Sequence, residues 1–236
     1  MPARPLRFGI KMAQMGGSYA EMREAWLEAD RLGFDTAWGH DHLLNQNDIA
    51  LPEDEGWTVL TALLAQSRRI RGGLMVTANT FRHPSLLAKI ATTVDRISNG
   101  RVEVGLGAGW FEEEHRQYGL ALPPLGERMK RLEEACRILT ALWTEPRATF
   151  EGVYYQVRDA YHEPKPVQRP HPRSSSAPAA SGSACASRPG MRRRGTWRAP
   201  RPTSSGRNRP CSTRTAARSA ATPPRSSAPS SSCPTR

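Results

Sequence analysis

Through the first 145 residues, short apolar runs alternate with longer segments of helical period, and this alternation directs the chain toward βα units around a parallel sheet. Phe8 to Met12 reads as the first strand. Ser18-Tyr19-Ala20-Glu21 then forms a capping box, in which hydroxyl and carboxylate satisfy each other's free helix-end donors. Met22, Trp26, Ala29 and Leu32 follow on one face, and Gly33 is the natural stop. Thr36 to Trp38 reads as the second strand, Trp57 to Gln66 as a helix and Leu74 to Ala78 as the third strand. A helix opens at Pro84, carries Leu87, Ile90, Val94 and Ile97 inward, and stops at Asn99-Gly100. Val102 to Leu106 is the fourth strand. Gly126 to Trp143 is an amphipathic helix with Met129, Leu132, Cys136, Leu139 and Trp143 inward, and Ala148 to Val157 folds back as a small hairpin. Four such strands fit half of an open doubly wound sheet or half of a closed barrel, and periodicity does not choose between them.

The pattern ends where composition changes. Residues 1–172 hold 21 Lys and Arg against all 22 Asp and Glu, whereas residues 173–236 hold 13 Arg with no Lys and no acid. The later segment has no Leu, Ile, Val, Phe or Tyr, and its large apolar side chains are Met191 and Trp197 alone. Such a stretch buries too little apolar surface to offset the entropy of ordering it, so residues 173–236 are expected to be a disordered Arg/Ser/Pro/Ala tail. No apolar run is long enough to span a membrane, and the opening MPARPLRFGIKM lacks the apolar segment of a secretory signal, which points to the cytoplasm. No cysteine and histidine spacing suggests a metal site.

In parallel α/β architectures ligands sit at the carboxyl ends of the strands, so the residues after each apolar run matter most. After the second strand comes Gly39-His40-Asp41-His42. Two imidazoles flanking a carboxylate form a candidate acid/base group, or else a polar loop bonded to backbone. After the third strand, Thr77-Ala78-Asn79-Thr80 is small enough for a flat ring to approach, although an ordinary helix-capping loop reads the same way. After the fourth comes Gly105-Leu106-Gly107-Ala108-Gly109-Trp110. It lacks the later glycine of a dinucleotide loop and the Lys-Ser/Thr of a phosphate loop, which argues against both. Glu112-Glu113-Glu114 reads as the first turn of a short helix, with His115 on the surface.

Taken together, LGFDTAWGHDHL, NTFRHPSLLAKIATTVDRISNGRVEVGLGAGWFEEEHRQYG and GERMKRLEEACRILTALWTEP resemble the luciferase-like oxidoreductases, particularly the coenzyme F420-dependent branch. The resemblance runs from about Leu6 to Pro172 and implies the N-terminal half of a (β/α)8 barrel. It further implies F420, or FMN in related members, at the strand ends, with hydride exchanged between the ring and a small organic substrate. In flavin members the reduced flavin reacts with oxygen. Carried over residue by residue, Asp41 and His42 match the catalytic Asp-His pair, with His42 exchanging the proton. Val76, Thr77, Ala78 and Asn79 match the bulge that backs the ring, where the family often has a non-proline cis peptide. Gly107, Ala108 and Gly109 match the floor, and His40 and Trp110 fall in the substrate pocket. Trp110 stands where the family's sugar-phosphate dehydrogenases carry a catalytic Glu, which turns the expectation toward an apolar or aromatic substrate. An intact relative is expected to form a homodimer and to bind neither membrane nor nucleic acid.

After PVQRPHP the family continues with a buried strand and a glycine-rich loop that helps hold the cofactor's phosphate-bearing tail, but this chain reads RSSSAPAASGSACASRPGMRRRGTW. One explanation is a natural Arg/Ser/Pro tail that acts by neutralising phosphate charge; the sharper expectation is a one-base reading-frame slip in GC-rich DNA. Each codon of the neighbouring frame joins the last base of one codon to the first two of the next. Suitable codons for Arg173 to Arg198 then read PILIGAGGERFGLRLAARYAAPWNVA, a strand, glycine turn and helix. Third bases can be chosen freely, but first and second bases constrain strongly: Cys185 forces Leu, Val or Met, and Met191 admits Tyr, His, Asn or Asp alone. Two functions of different class follow for the chain as it stands. One is an F420- or FMN-dependent oxidoreductase by descent, impaired by loss of later strands. The other is a non-catalytic protein using its basic tail on nucleic acid.

Overall fold

A computed structural model describes residues 6–12 and 16–176. Five parallel strands form one sheet in the order β1 (Gly9–Lys11), β2 (Thr36–Gly39), β3 (Arg71–Ala78), β4 (Val102–Gly107) and β7 (Arg173–Ser176). The crossovers carry α1 (Tyr19–Leu32), α2 (Gly56–Gln66) and α3 (Pro84–Ile97). The last crossover holds α4 (Glu112–Gln117), α5 (Leu125–Thr144) and an antiparallel hairpin of β5 (Ala148–Glu151) and β6 (Gln156–Ala160). Neighbouring helices touch in the series α1, α2, α3, α5. This is the α/β architecture of the expected partial barrel.

Local chemistry places each boundary. Ser18 and Glu21 form the capping box, and Gly33 closes α1 at φ 93°, a conformation that glycine adopts without a Cβ penalty. Pro84 opens α3 where its missing N–H costs no hydrogen bond, while Asn99 and Gly100 at φ 51° and 81° turn the chain into β4. Trp26, Leu60, Leu64, Leu74, Leu87 and Val94 are buried in the core between helices and sheet. The expected inward faces run short at two helix ends, because Leu32 and Ile97 are exposed on the last turns of α1 and α3.

Two carboxylates, one half-buried and one fully buried, tie the βα units together. Asp30, near the end of α1, accepts the backbone N–H groups of Arg68, Arg69 and Ile70, the residues that lead into β3. Burial pushes its pKa up, but those three bonds outweigh burial and hold it below the usual carboxylate range. Asp95, near the end of α3, likewise accepts the N–H groups of Val167 and Gln168. Through that contact the extended Pro-rich segment is anchored ahead of β7.

The expected tail of residues 173–236 begins with structure. Arg173–Ser176 pair in register with Glu103–Leu106 as a fifth parallel strand, so among the described residues the sheet runs from β1 at one side to β7 at the other. The physical reason is that β4 offers unpaired backbone donors and acceptors, and a ladder needs backbone groups more than apolar side chains. The expectation of disorder for the rest of the tail, and the nucleic-acid reading that depends on it, fall on residues 177–236, outside the described residues.

Candidate active site

The carboxyl ends of the strands converge on one cleft of about 540 Å³. His40, Asp41 and His42 enter it from the end of β2, Val76 and Ala78 from β3, and Gly107, Ala108, Gly109 and Trp110 from β4. Two expected members lie elsewhere. Thr77 is fully buried, because neighbouring residues of a strand face opposite sides of the sheet, and Asn79 lines a separate cavity.

The floor is made by the interlock of β3 and β4. Their register shifts between Leu74 and Thr77, and the peptide between Met75 and Val76 is cis, as the family resemblance implied. The Val76 side chain sits directly over Gly107, where a Cβ would collide with it, and a Cβ at Gly105 would run into the Leu74 carbonyl. Glycine is favoured by close backbone approach at Gly105 and by the Val76 side chain at Gly107, and at neither by an unusual φ.

Each residue of the His40-Asp41-His42 run is held by a different partner. His40 Nε2 donates to Glu53 Oε1 at 2.6 Å, with both side chains buried. Asp41 accepts two bonds from Arg82, at 2.6 and 2.9 Å, and a third from the Ala78 N–H at 2.9 Å. Burial lowers the Arg82 pKa, yet the bonds and charges of Asp41 and Glu55 raise it overall. Asp41 is therefore a brace between β2, β3 and the turn after β3, with both carboxylate oxygens engaged.

His42 Nδ1 lies 3.1 Å from both oxygens of Glu114, which also accepts the Leu43 N–H. An acceptor-only carboxylate at Nδ1 leaves Nε2 as the nitrogen available to the cleft. Trp110 stacks on Phe111 with ring centroids 5.3 Å apart, and both rings meet the His42 imidazole edge-on. The composition of the acidic triplet suggests a helix first turn and hides the role of Glu114, whose side chain is 1% exposed. His115, expected on the surface, is also buried. Its Nδ1 donates to the Phe111 carbonyl and its Nε2 accepts from the Thr80 hydroxyl, both at 2.7 Å. The reason is periodic: in a short helix lying on the strand ends, Glu114 and His115 form the face turned inward, while Glu113 and Arg116 pair on the outside.

Residues 5–200 match the luciferase-like monooxygenase family, more than half of the chain. The chain belongs to that family. The match reaches beyond Pro172, where the sequence resemblance was expected to end. Among curated relatives, an F420-dependent glucose-6-phosphate dehydrogenase of Microbacterium testaceum is 36% identical over 70% of this chain and 49% of its own length. An FMNH(2)-dependent dimethylsulfone monooxygenase of Pseudomonas putida is 30% identical over 72% of this chain and 50% of its own. Among solved structures, a monooxygenase from Streptomyces bottropensis superposes with a TM-score of 0.59 at 26% identity, covering 72% of this chain and 53% of that one. An F420-dependent secondary alcohol dehydrogenase, at 24% identity and a TM-score of 0.61, shares the fold over 69% of this chain and 49% of its own. The chain thus spans about half the length of the curated relatives it matches. Among the described residues, no helix is long and apolar enough to cross a membrane.

Proposed function

We propose that residues 1–172 are the ring-binding side of an F420-dependent oxidoreductase, with FMN as the alternative cofactor, acting on a small organic substrate. The observation that carries this reading is the His42 imidazole, oriented by buried Glu114 at one nitrogen and available to the cleft at the other. The cleft fits a flat tricyclic ring: Gly107 and Ala108 form a low floor, Val76 backs it, and Met75 and Trp110 supply apolar wall. When bound, such a cofactor supplies a hydride acceptor or donor at its ring. His42 Nε2 takes or returns the proton that accompanies hydride exchange at the substrate, while Glu114 fixes the tautomer and steadies the imidazolium. Asp41, locked by Arg82, keeps the end of β2 in place. Trp110 and Phe111 exclude water from one side of His42 and favour an apolar or aromatic substrate over a sugar phosphate.

Titrating the full chain with F420 and with FMN, read by ring fluorescence, tests the placement. Saturable binding of one of them, lost in Ala108→Trp, is expected; no saturation by either sinks the reading.

The same reading places residues 173–236 in a shifted frame and makes this chain catalytically impaired. Support comes from Arg173–Ser176, which pair with β4 at the positions where the neighbouring frame reads Pro-Ile-Leu-Ile. Sequencing across the codons of Gln168 to Arg173 checks it, with one base missing from the cytosine run around Pro172 as the expected result. A run of the family's full length there overturns it. A chain read through in the neighbouring frame is expected to turn over, and to lose about 10² to 10⁴-fold of that rate on His42→Ala, with a smaller loss on Glu114→Gln. An unchanged rate in His42→Ala removes the histidine from the chemistry.

A further inference from the structure

A second cavity, of about 290 Å³, lies beside the cleft on the other side of the turn after β3. Arg82, His83 and Arg131 are among its lining residues and no carboxylate is, the Arg82 guanidinium itself being turned to Asp41 and Glu55. The acids that pair with these arginines, Asp41 and Glu55 for Arg82 and Glu127 for Arg131, are not part of the lining. His83 is the N-cap of the 14-residue helix α3, which sets the positive end of that helix at the cavity wall. Its Nδ1 accepts the Ser85 N–H, and burial lowers its pKa, so the neutral ring carries its proton on Nε2 as a donor.

The remaining walls suit a flat apolar body. Phe81, Ala121, Pro123 and Tyr155 line the space, and the Tyr155 ring meets His83 edge-on at 5.2 Å. Arg131 lies 4.8 Å from the Tyr154 ring centroid and 5.9 Å from that of Tyr155, which holds the guanidinium against the aromatic wall. Asn79, 4% exposed, donates its amide N–H to the Tyr155 hydroxyl, and its carbonyl oxygen has no partner. An aromatic wall, the Arg131 cation, a neutral imidazole donor and a spare amide acceptor form a built polar site in a space at the small end of ligand pockets.

We infer that this cavity is a second small-molecule site that takes an aromatic carboxylate of about the size of benzoate. The carboxylate meets Arg131 and the His83 donor, and the ring lies against Phe81 and Tyr155. Because Arg82 lines this cavity while its guanidinium holds Asp41 at the cleft, an occupant also sits one residue from the brace of the reaction site.

Calorimetric titration of the full chain with benzoate, and with benzamide as the uncharged isostere, tests the inference. Saturable one-to-one binding of benzoate is expected, with benzamide weaker by about tenfold or more, because a charge-assisted contact is lost. Arg131→Gln is expected to lower benzoate affinity by a similar factor. Ala121→Trp fills the cavity and abolishes binding, whereas Ala108→Trp fills the cleft and leaves it intact; circular dichroism confirms that each variant is folded. Equal binding of benzamide, no saturation by benzoate, or loss in Ala108→Trp but not in Ala121→Trp overturns the proposal. The inference does not depend on the oxidoreductase reading, since the two tryptophan substitutions block different spaces.

Discussion

His162 shows how a single buried side chain ties this fold to pH. It is 3% exposed, and its Nε2 pairs with the Thr92 hydroxyl at 2.9 Å. Burial first, and then the charges of Lys89 and Lys165, push its pKa down from 6.5 to about 4 against a small opposing pull from Glu163. A depressed histidine binds its proton more readily when unfolded. Stability from this residue is therefore complete above about pH 6.5, falls as the pH drops toward 4, and levels off below that. The ceiling on the effect is about 3 kcal/mol. Urea unfolding of the wild type and of His162→Gln between pH 7 and pH 4 checks this. The wild-type stability should drop more steeply over that window, and parallel curves would show that His162 does not titrate between the two states. At the same scale, the functional histidine run illustrates a general point about charge. Three adjacent side chains, His40, Asp41 and His42, are held apart by partners 13 to 72 positions away in sequence: Glu53, Arg82 and Glu114.

At the scale of elements, the interlock of β3 with β4 governs the cleft. Gly107 is narrow because the Val76 side chain occupies the space that a Cβ would need, and this contact also positions the floor on which a ring would rest. Gly107→Val should force Val76 and the β3 bulge aside, at a cost of about 1 to 3 kcal/mol from overpacking. The expected reading is a lower urea midpoint with an unchanged denaturant slope. A midpoint equal to the wild type would show that the bulge yields freely. The elements themselves were largely legible, since the capping box at Ser18, Pro84 at the first turn of α3 and Gly33 after α1 act within a few residues of themselves. The missed features are not local. Asp30 and Asp95 read as ordinary polar residues near helix ends, yet each accepts backbone donors about 40 and 70 positions along the chain. Glu114 and His115 sit in a run of charges whose composition describes the outer face of α4 and conceals the inner one.

For the molecule as a whole, the parallel sense of β1 to β4 followed from the alternation of apolar runs and helical segments, whereas their consecutive order, which a doubly wound sheet would break, did not follow from periodicity. The change in composition after Pro172 was equally plain in the sequence. The placement of β7 was not, because Arg-Ser-Ser-Ser carries no apolar pattern and pairs through backbone groups that every residue possesses. The sequence by itself determined the βα units and the strand ends at which His40, Asp41, His42 and Gly107–Gly109 are presented, since those rest on local propensity and periodicity, although β3 begins at Arg71, three residues ahead of the expected Leu74. Only the tertiary structure decided that Glu114 bonds His42, that Arg82 engages both oxygens of Asp41, that Thr77 and Asn79 do not line the cleft, and that a second cavity lies past the turn after β3. Those outcomes depend on which side chains meet across long stretches of chain, and pairwise distance in space is not encoded in any short window of sequence.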